Sequence, residues 1–371
     1  MRKEFKEIYL LRVVSCLAIV FLHSISSAFA NSNLKGQAIE PILQSIKLLL
    51  MFGTPTFVLI SEFLLSASYN DKLPSNFFHK RIRFILIPYL SMGFFYAWFE
   101  LWKNSKLITP ETFSIEAAKN IFLGEYHGYF VLIIFQFYIL HALFQKYIYK
   151  KYQKFKVILI SFFITLAYLS FFNFSNVPFE RYAKIPFIGW FFYFVVGFYA
   201  GKKYDKINVW VAKYYNYLLI LFVFLSAILL IDYHIIGFHS SNSKRFDLIL
   251  YTVVVASLLF YRASKFSKMP SFVIFINGFT FGIYLLHPFF LKTFERFIPA
   301  YISFDHPILY IFTVFTFSVV CSISIIYLFN RFEFGAYIVG QINNRPHANL
   351  LKTNRSTDKE PVSISIIDSS S

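Results

Sequence analysis

The sequence predicts an all-α fold: a polytopic integral membrane bundle of about ten transmembrane helices with both termini cytoplasmic. Three observations predict it. Mean hydropathy is +0.57, with 57% hydrophobic and only 15% charged residues, too apolar for a soluble globular chain. Apolar runs of about 17–25 residues, the length that spans a hydrocarbon core, recur along the whole chain. The basic residues are also divided unevenly, 24 on the run ends that share a side with the N-terminus and 10 on the opposite ends, which favours both termini in the cytoplasm. The net charge of +17 is spread over short loops, a distribution that fits a bilayer rather than nucleic acid.

The runs fall at about 9–30, 42–66, 84–102, 128–146, 156–174, 186–201, 214–232, 247–262, 272–294 and 307–330, the sixth and eighth being short. In the first, Arg12 and His23 are eleven positions apart, about 1100° of rotation at 100° per residue, so they share one face about 16 Å apart along the axis. An Arg at the centre of a span costs about 2.5–3.5 kcal/mol, so this stripe is expected to face protein or water. The plain alternative is an Arg12 that snorkels to the interface and a His23 satisfied in the core. Arg2, Lys3 and Lys6 before the run and Ala28-Phe29-Ala30 at its end also fit a secretory signal. The runs that follow, and the loss of the His23 stripe on cleavage, favour a retained first span.

In the second run Glu62 lies at about the depth of Arg12, so an ion pair between the first two spans is expected. Lys80, Arg81 and Arg83 precede the third run, which contains Pro88-Tyr89; ordinary positive-inside anchoring accounts for such a cluster in a generic membrane protein. The loop from Lys103 to His127 carries Thr109-Pro110-Glu111, a start signal for a short interfacial helix. His127 is expected at the outer mouth of the fourth span and His141 near its inner end. In the ninth, Pro288 frees a carbonyl that His287 could satisfy. Residues 1–335 read as one transmembrane domain and 336–371 as a disordered cytoplasmic tail, rich in Ser, Asn and charge. Cys16 and Cys321 both fall inside spans and form neither a disulfide framework nor a metal-ligand spacing. No Gly-rich phosphate loop argues for nucleotide hydrolysis.

The Arg12, ten residues, His23 spacing near the start of the chain resembles the opening signature of the membrane acyltransferase-3 family. FFHKRIRFILIPYL (77–90), YHGYFVLIIFQFYIL (126–140), IGWFFYFVVGFYAG (188–201) and FGIYLLHPFF (281–290) follow in the family's order. Ser61-Glu62 departs from the family's Ser-Gly pair, so Glu62 takes no role from the resemblance; it is either a partner of Arg12 or part of the site. The wording is most similar to the family branch found in staphylococcal intercellular-adhesion systems that make poly-N-acetylglucosamine, a biofilm exopolysaccharide.

The resemblance implies an O-acyltransferase that moves an acetyl or succinyl group from a cytoplasmic acyl-coenzyme A to a cell-surface polysaccharide or its lipid-linked precursor. His23 would be the general base on a sugar hydroxyl. Arg12, Arg81 and Arg83 would hold the donor's phosphates by bidentate contacts, with His127 and His287 completing substrate binding; Glu62 joins the substrate-binding candidates on its depth in the second run, not on the resemblance. The donor is a substrate, so no resident cofactor or metal is expected. The bilayer, the glycan acceptor and glycan synthase subunits are the expected partners, and the bacterial cytoplasmic membrane is the expected location. Two alternatives stand beside this: export of a poly-N-acetylglucosamine-type polymer, against which the scarcity of acidic and amide residues in the spans counts, and a scaffold role in a glycan synthase complex.

Overall fold

A computed structural model describes residues 5–31, 34, 36–69, 74–175, 183–240, 242–297 and 306–342. The expected tail beyond 342, and the basic residues Arg2, Lys3, Lys35, Lys72 and Arg181, lie outside the described residues. Among the described residues every element is helical, and eight stretches are long and apolar enough to cross a membrane. The chain is thus an all-α, multi-pass membrane protein. Two shorter apolar helices, Phe187–Lys202 and Leu248–Ser264, coincide with the short sixth and eighth runs.

The elements are α1 (Glu7–Asn31), α2 (Glu40–Leu49), α3 (Gly53–Ser68), α4 (Phe77–Arg81), α5 (Ile87–Lys103), α6 (Pro110–Phe122) and α7 (Phe130–Tyr147). They continue as α8 (Lys154–Phe174), α9 (Phe191–Lys202), α10 (Tyr204–Lys213), α11 (Tyr215–His234), α12 (Leu248–Ser264) and α13 (Ser271–Phe297), then α14 (Pro307–Phe329) and α15 (Ala336–Val339). The interfacial helix expected after Thr109 is α6. The Thr109 and Thr112 side chains cap it reciprocally, and it folds back on α5 through Asn120 Nδ2, which donates to the Gly93 carbonyl at 3.1 Å.

α1 stands at the centre, packed against α3, α12, α13 and α14. The closest seam joins α3 to α9. A Cβ on Gly197 would lie 2.6 Å from the Leu59 carbonyl oxygen, and one on Gly201 would lie 2.4 Å from that of Phe63, so glycines four residues apart let the two backbones touch. Ser66 Oγ crosses the seam to the Phe198 carbonyl at 2.8 Å. At the periphery, α8 and α11 are each only 17% buried, as expected of helices that face lipid.

Two local irregularities position the site. Between α4 and α5 the chain makes a π-helical turn over 82–86, a wide turn of the kind that recurs at functional sites. Near the end of the chain, α15 packs on α5, so ordered structure continues past 335, where the tail was expected to begin.

Candidate functional site

One cavity of about 340 Å³ opens where the ends of α1, α3, α4, α7 and α13 converge. Arg12, Lys80 and Arg81 line it, with Tyr69, Tyr138, Thr280 and Tyr284 among the neutral polar groups. The Arg81 guanidinium lies 5.2 Å above the Phe77 ring and 5.5 Å from that of Tyr138, which orients it while leaving its donors for a ligand. Among the described residues no carboxylate pairs with Arg12 or Arg81. Uncompensated cations facing a cavity form an anion site.

Arg83 does not join them. It bonds the Tyr337 hydroxyl and stacks at 4.9 Å on the same ring, so it ties α15 to the turn before α5. The expectation that Arg83 binds substrate is corrected. Two residues of helix rotate a side chain by about 200°, so Arg81 and Arg83 leave opposite faces.

Glu62 is corrected as well. Its Oε1 lies 2.6 Å from Nδ1 of His141, both side chains are buried, and neither lines the cavity. The expected Arg12–Glu62 pair is replaced by a Glu62–His141 pair between α3 and α7.

Beyond the cavity a second group of titratable side chains gathers. The His287 ring is centred 5.4 Å from that of His23 and 5.6 Å from that of His127. Three segments remote in sequence therefore meet here, and His127 belongs to the cluster rather than to a separate mouth. Pro288 explains part of the geometry, because it interrupts the α13 hydrogen-bond ladder. The Leu285 carbonyl accepts from Tyr96 Oη at 2.9 Å and from His127 Nε2 at 3.0 Å, while the Phe289 N–H donates to Tyr96 Oη at 3.2 Å. The kink is thereby satisfied by α5 and by the turn before α7.

These bonds fix tautomers, since a carbonyl can only accept. His127 is protonated on Nε2. His287 bonds the Ile283 carbonyl through Nδ1 at 3.0 Å, so its Nε2 carries the lone pair, and that atom is buried without a partner. His23 beside it is exposed. The positive charges of Lys47 and Lys292 bear on His23. Lys47 falls inside the second apolar run, and only the three-dimensional neighbourhood brings it to His23. Among the described residues no group of three His, Cys, Asp or Glu side chains is arranged to hold a metal ion.

Arg12 and His23 do not share one chamber. Tyr284 lines the cavity, and its ring is 5.5 Å from that of His127, with Phe130 packed edge-on against it at 4.4 Å. The shared stripe on α1 thus runs past a Tyr284–Phe130 partition with cations on one side and imidazoles on the other.

The model of the acyltransferase-3 family, described as an acyltransferase domain, matches residues 5–327. A Bacillus subtilis (strain 168) protein named "Putative membrane-bound acyltransferase YfiQ" is 36% identical over 299 residues, covering 78% of this chain and 81% of the relative. A Staphylococcus aureus protein named "Probable poly-beta-1,6-N-acetyl-D-glucosamine export protein" is 29% identical over 308 residues, covering 79% of this chain and 84% of the relative. Its Staphylococcus epidermidis namesake is 27% identical over 303 residues, covering 79% and 83%. No solved structure matches.

Proposed function

The chain belongs to the membrane acyltransferase-3 family, a multi-pass acyltransferase of groups other than amino-acyl groups, and we propose that it moves an acetyl or succinyl group from a cytoplasmic acyl-coenzyme A to a surface polysaccharide or its lipid-linked precursor. The observation that carries this reading is a cationic cavity that backs, through one tyrosine, onto a cluster of imidazoles. Arg12, Lys80 and Arg81 hold the donor's phosphates by charge-assisted hydrogen bonds. The thioester then points along α1 toward Tyr284. For transfer the donor's thioester arm passes the Tyr284 ring; there an imidazole takes the proton of a sugar hydroxyl as its oxygen attacks the thioester carbonyl, the carbon–sulfur bond breaks and coenzyme A leaves as the thiol with a returned proton.

His23, exposed beside the buried His287, is the base that meets the hydroxyl, and the free Nε2 of His287 is the lone pair nearest to receive a relayed proton. No resident cofactor is needed, because the donor brings its own activated bond. The bacterial cytoplasmic membrane is the location this chemistry requires, with glycan synthase subunits as suppliers of acceptor.

The names of the staphylococcal relatives suggest polymer export instead. A polymer path needs a continuous polar lining, whereas the described cavity ends at the Tyr284–Phe130 partition. The test is acyl-coenzyme A consumption by purified protein with a glycan acceptor. The wild type releases free thiol and adds an acyl mass to the glycan, while His23→Ala and Arg12→Ala do neither. Full activity in His23→Ala, or unmodified polymer trapped inside deletion cells that show no change of glycan mass, overturns the reading.

A further inference from the structure

A second cavity, of about 550 Å³, reaches α1 at Ile8 and Leu11, shares no lining residue with the first, and is almost wholly apolar. Its size falls within the roughly 300–1,000 Å³ of small-molecule sites. Its position follows from the packing of the two peripheral helices: α8 leans on α9, and α11 leans on α12 and α2. The trough between them is floored by Val196 of α9 and by Val253 and Val254 of α12, and it reaches Leu11 and Phe63 of the central helices.

The trough runs along the helices. On α12 its lining extends from Leu250 to Phe260, ten residues and so about 15 Å at 1.5 Å per residue. That is half of a hydrocarbon core about 30 Å thick, the depth of a single leaflet. Only one end is charged. Lys154 at the start of α8, with Lys203 and Lys206 at the start of α10, closes it with no carboxylate in the lining. Lys154 Nζ sits 5.8 Å above the Tyr199 ring, and among the described residues no acidic side chain pairs with any of the three lysines. Asp205, on the same turn, lies outside the trough. Half-exposed Trp210 is where an interfacial aromatic belongs.

A slot one leaflet deep, apolar along its length and cationic at its end, is complementary to one molecule class. We propose that it binds an anionic phospholipid of the leaflet on the α10 side, with an acyl chain between α8 and α11 and the phosphate on Lys154, Lys203 and Lys206. This site is separate from the donor cavity and from the imidazole cluster, so its occupancy is measured without any acyl transfer.

Native mass spectrometry of the full-length protein, released from micelles supplied with phosphatidylglycerol or phosphatidylcholine, tests it. The wild type retains phosphatidylglycerol at least tenfold better, and the combined Lys154→Gln, Lys203→Gln, Lys206→Gln variant loses that preference. Ser257→Phe, which fills the trough from α12, lowers retention of both lipids. Inorganic phosphate at millimolar concentration leaves the complex intact. Equal retention of the two lipids, an unchanged preference in the triple variant, or full displacement by phosphate alone overturns the proposal.

Discussion

Two imidazoles deep in this bundle keep opposite company. His141 is held against a carboxylate, with Glu62 Oε1 at 2.6 Å and the Phe198 ring centred 5.3 Å away. His287 has no acid beside it; its Nδ1 is spent on a backbone carbonyl, and its Nε2 is left bare next to an exposed His23. Glu62 Oε2 is likewise buried without a partner among the described residues, but neither member of the pair lines the cavity, so the pair does not face a substrate there. A buried ring with one nitrogen anchored and the other unpartnered is arranged to accept a proton. On the proposed function, the difference separates a histidine that holds helices together from one placed to do chemistry.

The sharpest way to break that contrast is to remove each side in turn. His287→Ala is expected to lower acyl transfer by about 10²–10⁴-fold, the range of a lost proton-transfer group, with unchanged membrane content and thermal midpoint; a loss of stability in place of rate would make His287 another structural histidine. Glu62→Ala should do the reverse. Leaving His141 buried without its partner costs about 3–5 kcal/mol, read as a lowered unfolding midpoint in detergent while turnover per folded molecule persists. Replacing both by apolar residues, Glu62→Leu with His141→Phe, should restore most of the midpoint, and failure to do so would assign the pair a role beyond packing.

Smaller effects sharpen the same division. Gly201→Ala wedges a methyl group against the Phe63 carbonyl in the seam beside Glu62, at about 1–3 kcal/mol of overpacking, again visible in the midpoint and not in the KM for donor. Arg81→Ala and Arg83→Ala divide the basic cluster. The first is expected to raise the donor KM by about tenfold or more, since a hydrogen bond to a charged group contributes about 1.5–3 kcal/mol. The second loses a ring contact worth about 0.5–1 kcal/mol and changes KM by less than about twofold. Equal KM effects from the two arginines would undo the separation between cavity and tether.

The helices were legible because hydrophobic length needs no tertiary information; even the two short runs marked α9 and α12. The common face of Arg12 and His23 was legible from spacing, since eleven residues return a helix nearly to the same side; the aromatic pair that divides their surroundings was not. Arg83 was misread because adjacency in a basic cluster hides the half-turn of rotation between neighbours. Glu62 was misassigned for another reason. Equal depth nominated Arg12, but the carboxylate's partner is 79 residues away on α7, and depth does not say which helix stands alongside. The gathering of His127 and His287 around His23 depends on α13 meeting the turn before α7, a contact no local pattern encodes.

The Tyr284–Phe130 partition has a physiological corollary. A transferase open from face to face would let protons and coenzyme drain down their gradients at every turnover. If the donor binds as proposed, the aromatic bulkhead that ends its cavity bars that leak, and the cell would keep both its membrane potential and its coenzyme.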